Sequence, residues 1–304
     1  MIVGENMHQL ALFDEGHELE SAQIVNVASV PQRSPFRYPG GKTWLVPRLR
    51  QWLLSLGIRP TLFVEPFVGG GSISLTVAFE RLAEHVVMVE LDRQVAAVWR
   101  TILEGDGDWL ADALVRFQLT PQSVAKALGR ADGRLSVRER AFNTLLKNRV
   151  NRGGILAPGA GLVKHGENGR GLASRWYPAT LRRRILDITT IRDHITFVEG
   201  DGLQIMGHHA SDKDAAFFID PPYTAAGKKA GSRLYSCSQL DHEALFAIAA
   251  SLRGPFLMTY DDTKEVRELA RAHGFAVKLV AMKNTHHAKM KELLISQNMD
   301  WLTL

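Results

Sequence analysis

The stretch TLFVEPFVGGG, residues 61–71, decides the fold that the sequence predicts. Its first part, Thr61–Glu65, is a short apolar run typical of a buried strand, and three glycines, Gly69–Gly71, follow it as a turn. The elements expected next are a helix over Ser72–Leu82, a strand over His85–Leu91 and a helix over Arg93–Leu103. Because strands and helices alternate, this series predicts an α/β protein with a parallel sheet covered by helices.

The alternation resumes near Ile195 and continues almost to the C-terminus. The predicted strands are Ile195–Glu199, Ala215–Ile219, Phe256–Tyr260, Phe275–Ala281 and Glu292–Ser296, and the predicted helices are Gln239–Leu252 and Thr263–His273. The last two strands have no helix between them. They are therefore expected to pair antiparallel at one edge of the sheet.

Residues 105–195 interrupt the alternation and concentrate positive charge. They hold 16 Lys and Arg against 8 Asp and Glu, a local net charge of +8 in a chain whose total is +5. Two pieces, Val137–Arg152 and Ala179–Asp193, are expected to be helical, and the glycine-rich stretch 153–171 lies between them. A loop-rich segment of this length is usually functional or a separate subdomain. Its charge predicts a surface that meets a polyanion such as nucleic acid.

The composition is that of an ordinary globular enzyme. Of the 304 residues 45% are hydrophobic and 23% are charged, and no apolar run is long enough to span a membrane. Cys237 is the only cysteine, which excludes an internal disulfide and fits a reducing cytoplasm. Residues 1–33 are acidic and lack a clear period, so we expect a mostly flexible tail ahead of a body that begins at residue 34.

The sharpest chemical signal is the tetrad Asp220-Pro221-Pro222-Tyr223, which directly follows the apolar strand Ala215–Ile219. Ligands of an open α/β sheet bind beyond the carboxyl ends of the strands, so the tetrad is placed to act on one. The carboxylate of Asp220 and the carbonyl of Pro221 are acceptors that suit the two donors of an exocyclic amino group. Tyr223 offers a face on which a planar base can stack. An incidental Pro-Pro turn is the plainer alternative.

The glycine turn and two acidic strand ends form a second group of candidates. A glycine-rich turn between strand and helix lets the backbone approach a cofactor closely, although a purely structural turn is the default interpretation. Glu90 ends the second strand and is suited to accept hydrogen bonds from ribose hydroxyls, a role that Asp92 could share. Asp201 follows the strand Ile195–Glu199 and could accept from an adenine amino group of a cofactor or stabilise a tight turn.

The segment FRYPGGKT, residues 36–43, invites comparison with a phosphate loop. That motif requires a glycine five residues before Gly41, where Phe36 stands, and no strong strand precedes the segment. The phosphate loop is therefore rejected. Lys42 is instead expected to reach a cofactor carboxylate or the substrate pocket.

Taken together, these motifs resemble those of the Dam-type adenine-N6 DNA methyltransferases, over about residues 34–304. That family opens with a Tyr/Trp-x-Gly-Gly-Lys segment, here Tyr38–Lys42, and places the glycine turn and the acidic strand end before a target-recognition region and the tetrad. The resemblance implies the S-adenosylmethionine-dependent Rossmann-like fold, with residues 105–195 inserted for target recognition between 34–104 and 196–304. It also implies methyl transfer from S-adenosylmethionine to adenine N6 of duplex DNA after base flipping, without a metal.

The resemblance implies a role for each matching residue. The cofactor would be lined by Tyr38, Gly40, Gly41, Lys42, Glu65, Pro66, Phe67, Gly69, Glu90, Asp201 and Asp220. The flipped adenine would be held by Asp220, Pro221, Pro222 and Tyr223, and DNA would be contacted by Asn148, Arg149, Asn151 and Arg152. This chain departs from the family at Glu90, where Asp is common, and at Asp92, where Asn is common.

Alternatives stay open beside this interpretation. Methylation of RNA or of cytosine N4 uses the same tetrad, although the motif order favours adenine over cytosine, and a non-catalytic DNA-binding protein could retain the fold. A separate hypothesis concerns the tail, where Gln9, Leu10, Leu12 and Phe13 resemble the peptide with which bacterial proteins dock on the replication sliding clamp. The alternative is that this apolar cluster packs back on the catalytic domain.

Overall fold

The computed structural model describes residues 30–38, 40–166, 169–222, 240–283 and 289–303. Its central sheet consists of β1 Leu62–Glu65, β2 His85–Glu90, β3 Ile195–Glu199, β4 Ala215–Ile219, β5 Phe256–Asp261, β6 Ala276–Lys283 and β7 Lys289–Ser296. These strands lie in the order β3-β2-β1-β4-β5-β7-β6. Neighbours from β3 to β5 pair parallel, and β7 pairs antiparallel with β5 and β6. The predicted parallel sheet with an antiparallel edge pair is confirmed.

Helices connect most of the strands. They are α1 Val46–Ser55, α2 Ser72–Glu80, α3 Arg93–Leu103, α4 Gly107–Arg116, α5 Pro121–Leu128, α6 Val137–Val150, α7 Pro178–Thr189, α8 Gly202–His208, α9 His242–Ser251 and α10 Lys264–Ala272. Of these, α1, α4, α5 and α8 lie outside the helices that the sequence predicted. The other six agree with the predictions to within about one helical turn at each end.

Both faces of the sheet are buried. Neighbouring residues of each strand point to opposite faces, so they belong to two different core clusters. Phe63 of β1 and Phe218 of β4 belong to a core cluster that includes residues of α1–α7. Their neighbours Val64 and Phe217 belong to a second cluster, which includes residues of α8–α10. All four side chains have no exposed surface, which is why the strands read as continuous apolar runs rather than as alternating ones.

The turn between β1 and α2 requires a glycine at position 71. Gly71 has φ +64°, a conformation that other residues adopt at a cost. A Cβ at this position would also lie 2.8 Å from the Trp99 ring, so the turn packs directly on α3. The backbone N–H of Ser74 then donates to Glu65 Oε2 at 2.9 Å. The last residue of β1 therefore stabilises the first turn of the following helix.

The basic insertion is mainly helical and shares its core with the rest of the chain. Leu110 of α4, Leu145 of α6 and Ile185 of α7 are fully buried in the same cluster as Trp99 of α3. Residues 107–150 are therefore a helical layer packed on α3 and not a loop-rich segment. The predicted helical character of the insertion is confirmed.

The N-terminal boundary differs from the prediction. Val30 has only 3% of its surface exposed and belongs to the main core cluster. Arg33 Nη2 lies 3.1 Å from Glu80 Oε1 at the end of α2. The assignment of residues 30–33 to a flexible tail is therefore wrong, because apolar burial and an ion pair attach them to the body. Within the described residues, no helix combines the length and the apolar character required to cross a membrane.

Candidate functional site

Four predicted carboxylates lie at one edge of the sheet. Glu65 ends β1, Glu90 ends β2, Asp201 follows β3 and Asp220 follows β4. These four strands are parallel neighbours, so their carboxyl ends meet at the same edge. The structure thus brings together groups that are spread over most of the chain.

Lys42 lies at the centre of this edge. It precedes a short 3-10 helix, Thr43–Leu45, and only 3% of its surface is exposed. Its Nζ atom lies 3.0 Å from Asp220 Oδ1 and 3.6 Å from Glu292 Oε2, and it donates to the carbonyl oxygen of Gly40 at 3.0 Å. A buried ammonium requires such compensation, since its desolvation is costly. Lys42 therefore contacts the tetrad directly.

Two residues that the sequence analysis missed contact the Lys42–Asp220 pair. Thr259 on β5 donates from Oγ1 to Asp220 Oδ1 at 2.8 Å, and its side chain is fully buried. Glu292 on β7 pairs in register with Asp261, at the carboxyl end of β5. Because β7 runs antiparallel, the early part of that strand reaches the edge where the other strands end. Antiparallel pairing was predicted, and it is the signal that could have identified Glu292.

Glu65 is the most deeply buried carboxyl group of the site, with 3% of its surface exposed. Burial, with a smaller contribution from the nearby charge of Asp220, raises its pKa to about 8. The hydrogen bonds from Ser74 and the charge of Lys42 act in the opposite direction. Glu65, Asp220 and Lys42 are therefore one electrostatic group, although the first of them was expected only at the cofactor.

Glu90 holds the glycine turn. Its Oε2 accepts from the backbone N–H of Gly69 at 2.9 Å, and its Oε1 accepts from that of Asp92 at 2.9 Å. Burial raises the pKa of Glu90 to about 7. Asp92 in turn caps α3, where its Oδ1 accepts from the backbone N–H of Gln94 at 2.8 Å. The carboxylate suggested for a ribose therefore also connects β2 to the turn after β1.

The turn after β3 packs tightly on the turn after β1. A Cβ at Gly202 would lie 2.3 Å from the carbonyl oxygen of Pro66, so only a glycine permits this approach. Asp201, one residue earlier, caps α8 by accepting from the backbone N–H of Leu203 at 2.8 Å. The structural role that was left open for Asp201 is present. Asp201 is thus next in sequence to the glycine that packs on Pro66.

Tyr38 covers the glycine turn from the N-terminal segment. A Cβ at Gly69 would lie 2.6 Å from Tyr38 Cε1, and a Cβ at Gly70 would lie 2.7 Å from Tyr38 Cβ. The Trp99 indole donates to the carbonyl oxygen of Gly69 at 2.9 Å. The backbone N–H of Gly41 donates to the Tyr38 carbonyl oxygen at 3.2 Å, which joins the Gly-Gly-Lys segment to this contact.

The tetrad is described only in part. Asp220 is partly exposed, with 20% of its side-chain surface accessible, whereas Pro221 is buried. Pro222 is half-buried at the end of the described range. Tyr223 lies outside the described residues, so its stacking role stays a prediction.

Three of the four predicted DNA contacts are internal. Asn148 and Asn151 are buried, and Asn148 accepts from the backbone N–H of Arg37 at 2.8 Å and donates to the Arg37 carbonyl at 3.0 Å. Asn151 donates to the carbonyl oxygen of Ile155 at 2.8 Å. Arg149 has 5% of its surface exposed. The structure thus corrects the prediction of an open DNA-contacting surface at these three positions, because their polar groups serve the chain itself. Arg152 is exposed and stays a predicted contact.

The amino-acid sequence matches no protein-family model and no curated protein. Among solved structures, the chain is similar to a methyltransferase from Geobacter sulfurreducens, with 14% identity over 86% of this chain and 81% of that chain and a TM-score of 0.37. It is also similar to the rRNA methyltransferase aviRa from Streptomyces viridochromogenes, with 14% identity over 86% of each chain and a TM-score of 0.37. A third similarity, to the tRNA methyltransferase TrmK from B. subtilis, has 10% identity over 84% of this chain and 68% of that chain, with a TM-score of 0.37. Similarities at this level do not identify a substrate.

The strand order and the antiparallel β7 form the Rossmann-like sheet, mainly parallel with an antiparallel edge pair, that the sequence predicted. S-adenosylmethionine is the cofactor that the sequence motifs predict. The described residues fit it. The cofactor carries ribose hydroxyls and an adenine amino group, and Glu90 and Asp201 are acceptors at the ends of neighbouring strands. The turn at Gly69–Gly71 lies beside Glu90, which accepts from the backbone N–H of Gly69, and its glycines are packed against Tyr38 and Trp99.

Proposed function

We propose that this protein transfers a methyl group from S-adenosylmethionine to the N6 atom of adenine in duplex DNA. The observation that carries the proposal is the position of Asp220, which directly follows β4 at the edge where the cofactor candidates lie. Lys42 Nζ and Thr259 Oγ1 both contact its Oδ1 atom, at 3.0 Å and 2.8 Å. A carboxylate held in this way has a fixed direction, as positioning of a target amino group requires.

The tetrad supplies the contacts to the base. The carboxylate of Asp220 and the carbonyl of Pro221 would accept the two N–H groups of the adenine amino group. These hydrogen bonds favour positive charge on the nitrogen as it reacts, so they stabilise the transition state more than the ground state. Tyr223 would stack on the ring. The adenine must leave the duplex stack to reach this site, which costs a few kcal/mol, and stacking returns roughly 1–3 kcal/mol.

The cofactor, when bound, supplies an electrophilic methyl group on a sulfonium centre. The residues proposed to hold it are Tyr38, Gly40, Gly41, Lys42, Glu65, Pro66, Phe67, Gly69, Glu90, Asp201 and Asp220. Glu90 would accept from the ribose hydroxyls and Asp201 from the adenine amino group. Glu65 also affects the charge of the site. Its raised pKa favours the neutral carboxyl group beside the Lys42–Asp220 pair.

Duplex DNA is proposed as the substrate because of the basic insertion. Arg152, Arg170, Arg182 and Arg183 are exposed on the segment that carries the local charge of +8. Such a surface attracts a polyanion without regard to sequence. Gln9, Leu10, Leu12 and Phe13 lie outside the described residues, and docking of this segment on a bacterial sliding clamp is part of the proposal.

The test is methyl transfer from labelled S-adenosylmethionine to three substrates: duplex DNA of mixed sequence, a DNA duplex that contains only G and C, and RNA. The wild type is expected to label only adenine-containing DNA and to yield N6-methyladenine after digestion. Asp220→Asn is expected to abolish labelling while cofactor binding stays nearly intact, because the other proposed cofactor residues are unchanged. The control is Asp212→Asn, at the opposite end of β4, where the carboxylate accepts from the backbone N–H of Asp214 at 3.0 Å. It is expected to keep full activity.

Other outcomes point to other functions. Labelling of RNA alone would assign an RNA methyltransferase, and labelling of the G and C duplex would assign cytosine N4. Cofactor binding without transfer to any of the three substrates would favour a non-catalytic role. Wild-type activity of Asp220→Asn would remove the tetrad from the mechanism.

A further inference from the structure

The chain segment 34–38 is held by the basic insertion. Arg184 of α7 donates from Nη1 to the carbonyl oxygen of Ser34 at 2.8 Å, and Arg149 of α6 donates from Nη2 to that of Pro35. A guanidinium group presents several donors in a fixed geometry, so the two groups can orient two consecutive peptide carbonyls. The insertion therefore fixes the backbone of this segment in addition to carrying the basic surface.

The side chain of Ser34 reaches from this segment to the glycine turn. Its Oγ atom donates to the carbonyl oxygen of Gly70 at 2.5 Å and accepts from the backbone N–H of Phe36 at 3.1 Å. A hydroxyl has one proton and two lone pairs. Because the N–H of Phe36 uses a lone pair, the hydroxyl proton is available to Gly70. Ser34 thus contacts the insertion through its carbonyl and the turn through its hydroxyl.

The peptide group after Gly70 depends on this contact for its attachment to another part of the chain. The preceding peptide group is fixed from α3, since the carbonyl oxygen of Gly69 accepts from the Trp99 indole at 2.9 Å. The peptide group after Gly70 donates through its N–H to the carbonyl oxygen of Val68 at 2.7 Å, a contact within the turn, and accepts through its carbonyl from Ser34. Glycine has more backbone freedom than any other residue, so loss of the contact with Ser34 would let this part of the turn move.

We propose that Ser34 is a positioning residue of the cofactor site and that Arg184 supports it from the insertion. A turn that is fixed before its ligand arrives loses less conformational freedom on binding, so it binds the ligand more tightly. Ser34 therefore raises the affinity for the cofactor without touching the reacting atoms, and the insertion acquires a role beyond contact with nucleic acid. The identity of the ligand as S-adenosylmethionine rests on the proposed function, whereas the position of the turn does not.

The first measurement is hydrogen exchange of the full chain without cofactor, followed in a peptide that covers residues 66–75. It compares the wild type with Ser34→Ala, which removes the hydroxyl, and with Ser34→Thr, which keeps it. Position 34 precedes a proline and is therefore biased to extended backbone, where a β-branched residue fits. Exchange of the turn is expected to be about 3–10-fold faster in Ser34→Ala than in the other two proteins.

Ser296→Ala is the matched control. Ser296 Oγ also donates to a backbone carbonyl that is distant in sequence, that of Phe256 at 2.6 Å, where β5 begins at the opposite end of the sheet. The variant loses a hydrogen bond of the same kind, so it reports any general effect of reduced stability. Its exchange in the peptide 66–75 is expected to stay at the wild-type rate.

The second measurement is calorimetry with S-adenosylmethionine. Ser34→Ala is expected to raise the Kd about 3–10-fold, whereas Ser34→Thr and Ser296→Ala keep the wild-type value. Arg184→Gln is expected to raise the Kd as well, because Ser34 loses its support. In methyl transfer, Ser34→Ala should raise the KM for the cofactor and leave kcat at saturation unchanged, as the loss of uniform binding does. A merely structural role would not produce this difference between KM and kcat.

The proposal is overturned if Ser34→Ala matches the wild type in exchange and in Kd, or if Ser34→Thr is impaired as strongly as Ser34→Ala. Equal effects in Ser34→Ala and Ser296→Ala would assign them to stability and overturn it as well. A wild-type Kd in Arg184→Gln would overturn the role of the insertion alone. A wild type that binds no S-adenosylmethionine would remove the proposed function, and exchange of the turn would then decide the role of Ser34 by itself.

Discussion

The Nζ atom of Lys42 lies 3.0 Å from Oδ1 of Asp220, so the Gly-Gly-Lys segment and the tetrad, which are far apart in the sequence, meet in an ion pair. Lys42 is almost fully buried, and Asp220 keeps one-fifth of its side chain exposed. The pair therefore has one partner inside the fold and one that can reach a ligand. This asymmetry fits a carboxylate that Lys42 positions from inside the fold and whose exposed part can contact a ligand.

The first prediction concerns the stability that this pair provides. Lys42→Met should lower the free energy of unfolding by about 3 kcal/mol, because Asp220 and the buried Glu292 lose their shared cation. Chemical denaturation measures the change. The control is Lys264→Met, whose ammonium lies 3.5 Å from Glu268 on an exposed helix face, and about 0.5 kcal/mol or less is expected there. Equal losses in the two variants would contradict a structural role of the buried pair.

The second prediction separates positioning from binding. Thr259→Val removes the hydroxyl that donates to Asp220 Oδ1 but keeps the size of the side chain. Methyl transfer should slow about tenfold in kcat, whereas the affinity for S-adenosylmethionine should stay unchanged. Thr101→Val makes the same substitution at a buried threonine of α3, which donates to the Ala97 carbonyl at 2.7 Å. That control should keep kcat, and a matching loss there would assign the effect to general packing.

The third prediction concerns pH. Burial raises the pKa of Glu90 from its ordinary value near 4.5 to about 7. The unfolded chain therefore releases this proton at lower pH than the folded protein, so stability falls as the pH rises from about 4.5 to 7 and then levels off. Glu90 contributes at most about 3 kcal/mol to this fall. Glu65, whose pKa is about 8, adds a fall of the same sign.

Glu90→Gln should therefore flatten the decline of the unfolding free energy between pH 5 and pH 8, without removing the part that belongs to Glu65. Denaturation at several pH values measures it. Glu84→Gln, just before the other end of β2, removes an exposed carboxylate and should leave the slope unchanged. If Glu90→Gln keeps the wild-type slope of unfolding free energy against pH, the carboxyl group of Glu90 is not held in its neutral form.

Much of the fold could be predicted because local sequence patterns indicate its strands and helices. Ile195–Glu199 and Ala215–Ile219 are the strands that were expected, since a short apolar run between turns has few other uses in a buried sheet. The helix Arg93–Leu103 also has its predicted bounds, with Asp92 as its cap. Helix α1 was not predicted. It follows the Gly-Gly-Lys segment, which was interpreted as part of the binding site and not as the start of a helix.

The site could be predicted only in outline. The strand-end carboxylates follow from topology, whereas the contact of Lys42 with Asp220 depends on how the N-terminal segment folds over the sheet. Asn148 was expected to contact DNA because the family resemblance places DNA contacts in its segment. Its burial depends on the backbone of Arg37, a partner that is distant in sequence and that no local pattern reveals.

The fourth prediction concerns the contact between Tyr38 and the glycine turn. Gly70→Ala places a Cβ 2.7 Å from Tyr38 Cβ and 3.3 Å from Cγ, so the ring must move. Overpacking of this kind should lower the free energy of unfolding by about 1–3 kcal/mol. Gly133→Ala is the control, since its Cβ would have no atom within 4 Å, and it should stay within about 0.5 kcal/mol. Similar values for both would show that Tyr38 can leave the turn freely.

The last prediction concerns the segment Gln9–Phe13, which lies outside the described residues. Leu12 and Phe13 are large apolar groups that could fill a pocket on a sliding clamp, with Gln9 adding donors and an acceptor. Calorimetry with purified bacterial clamp should show binding by the wild type and none by the Leu12→Ala/Phe13→Ala double variant. Both proteins should methylate a short duplex at the same rate, because the clamp contact would act only on localisation. Binding by both proteins, or by neither, would contradict the docking role, and a loss of methylation in the double variant would indicate packing on the catalytic domain instead.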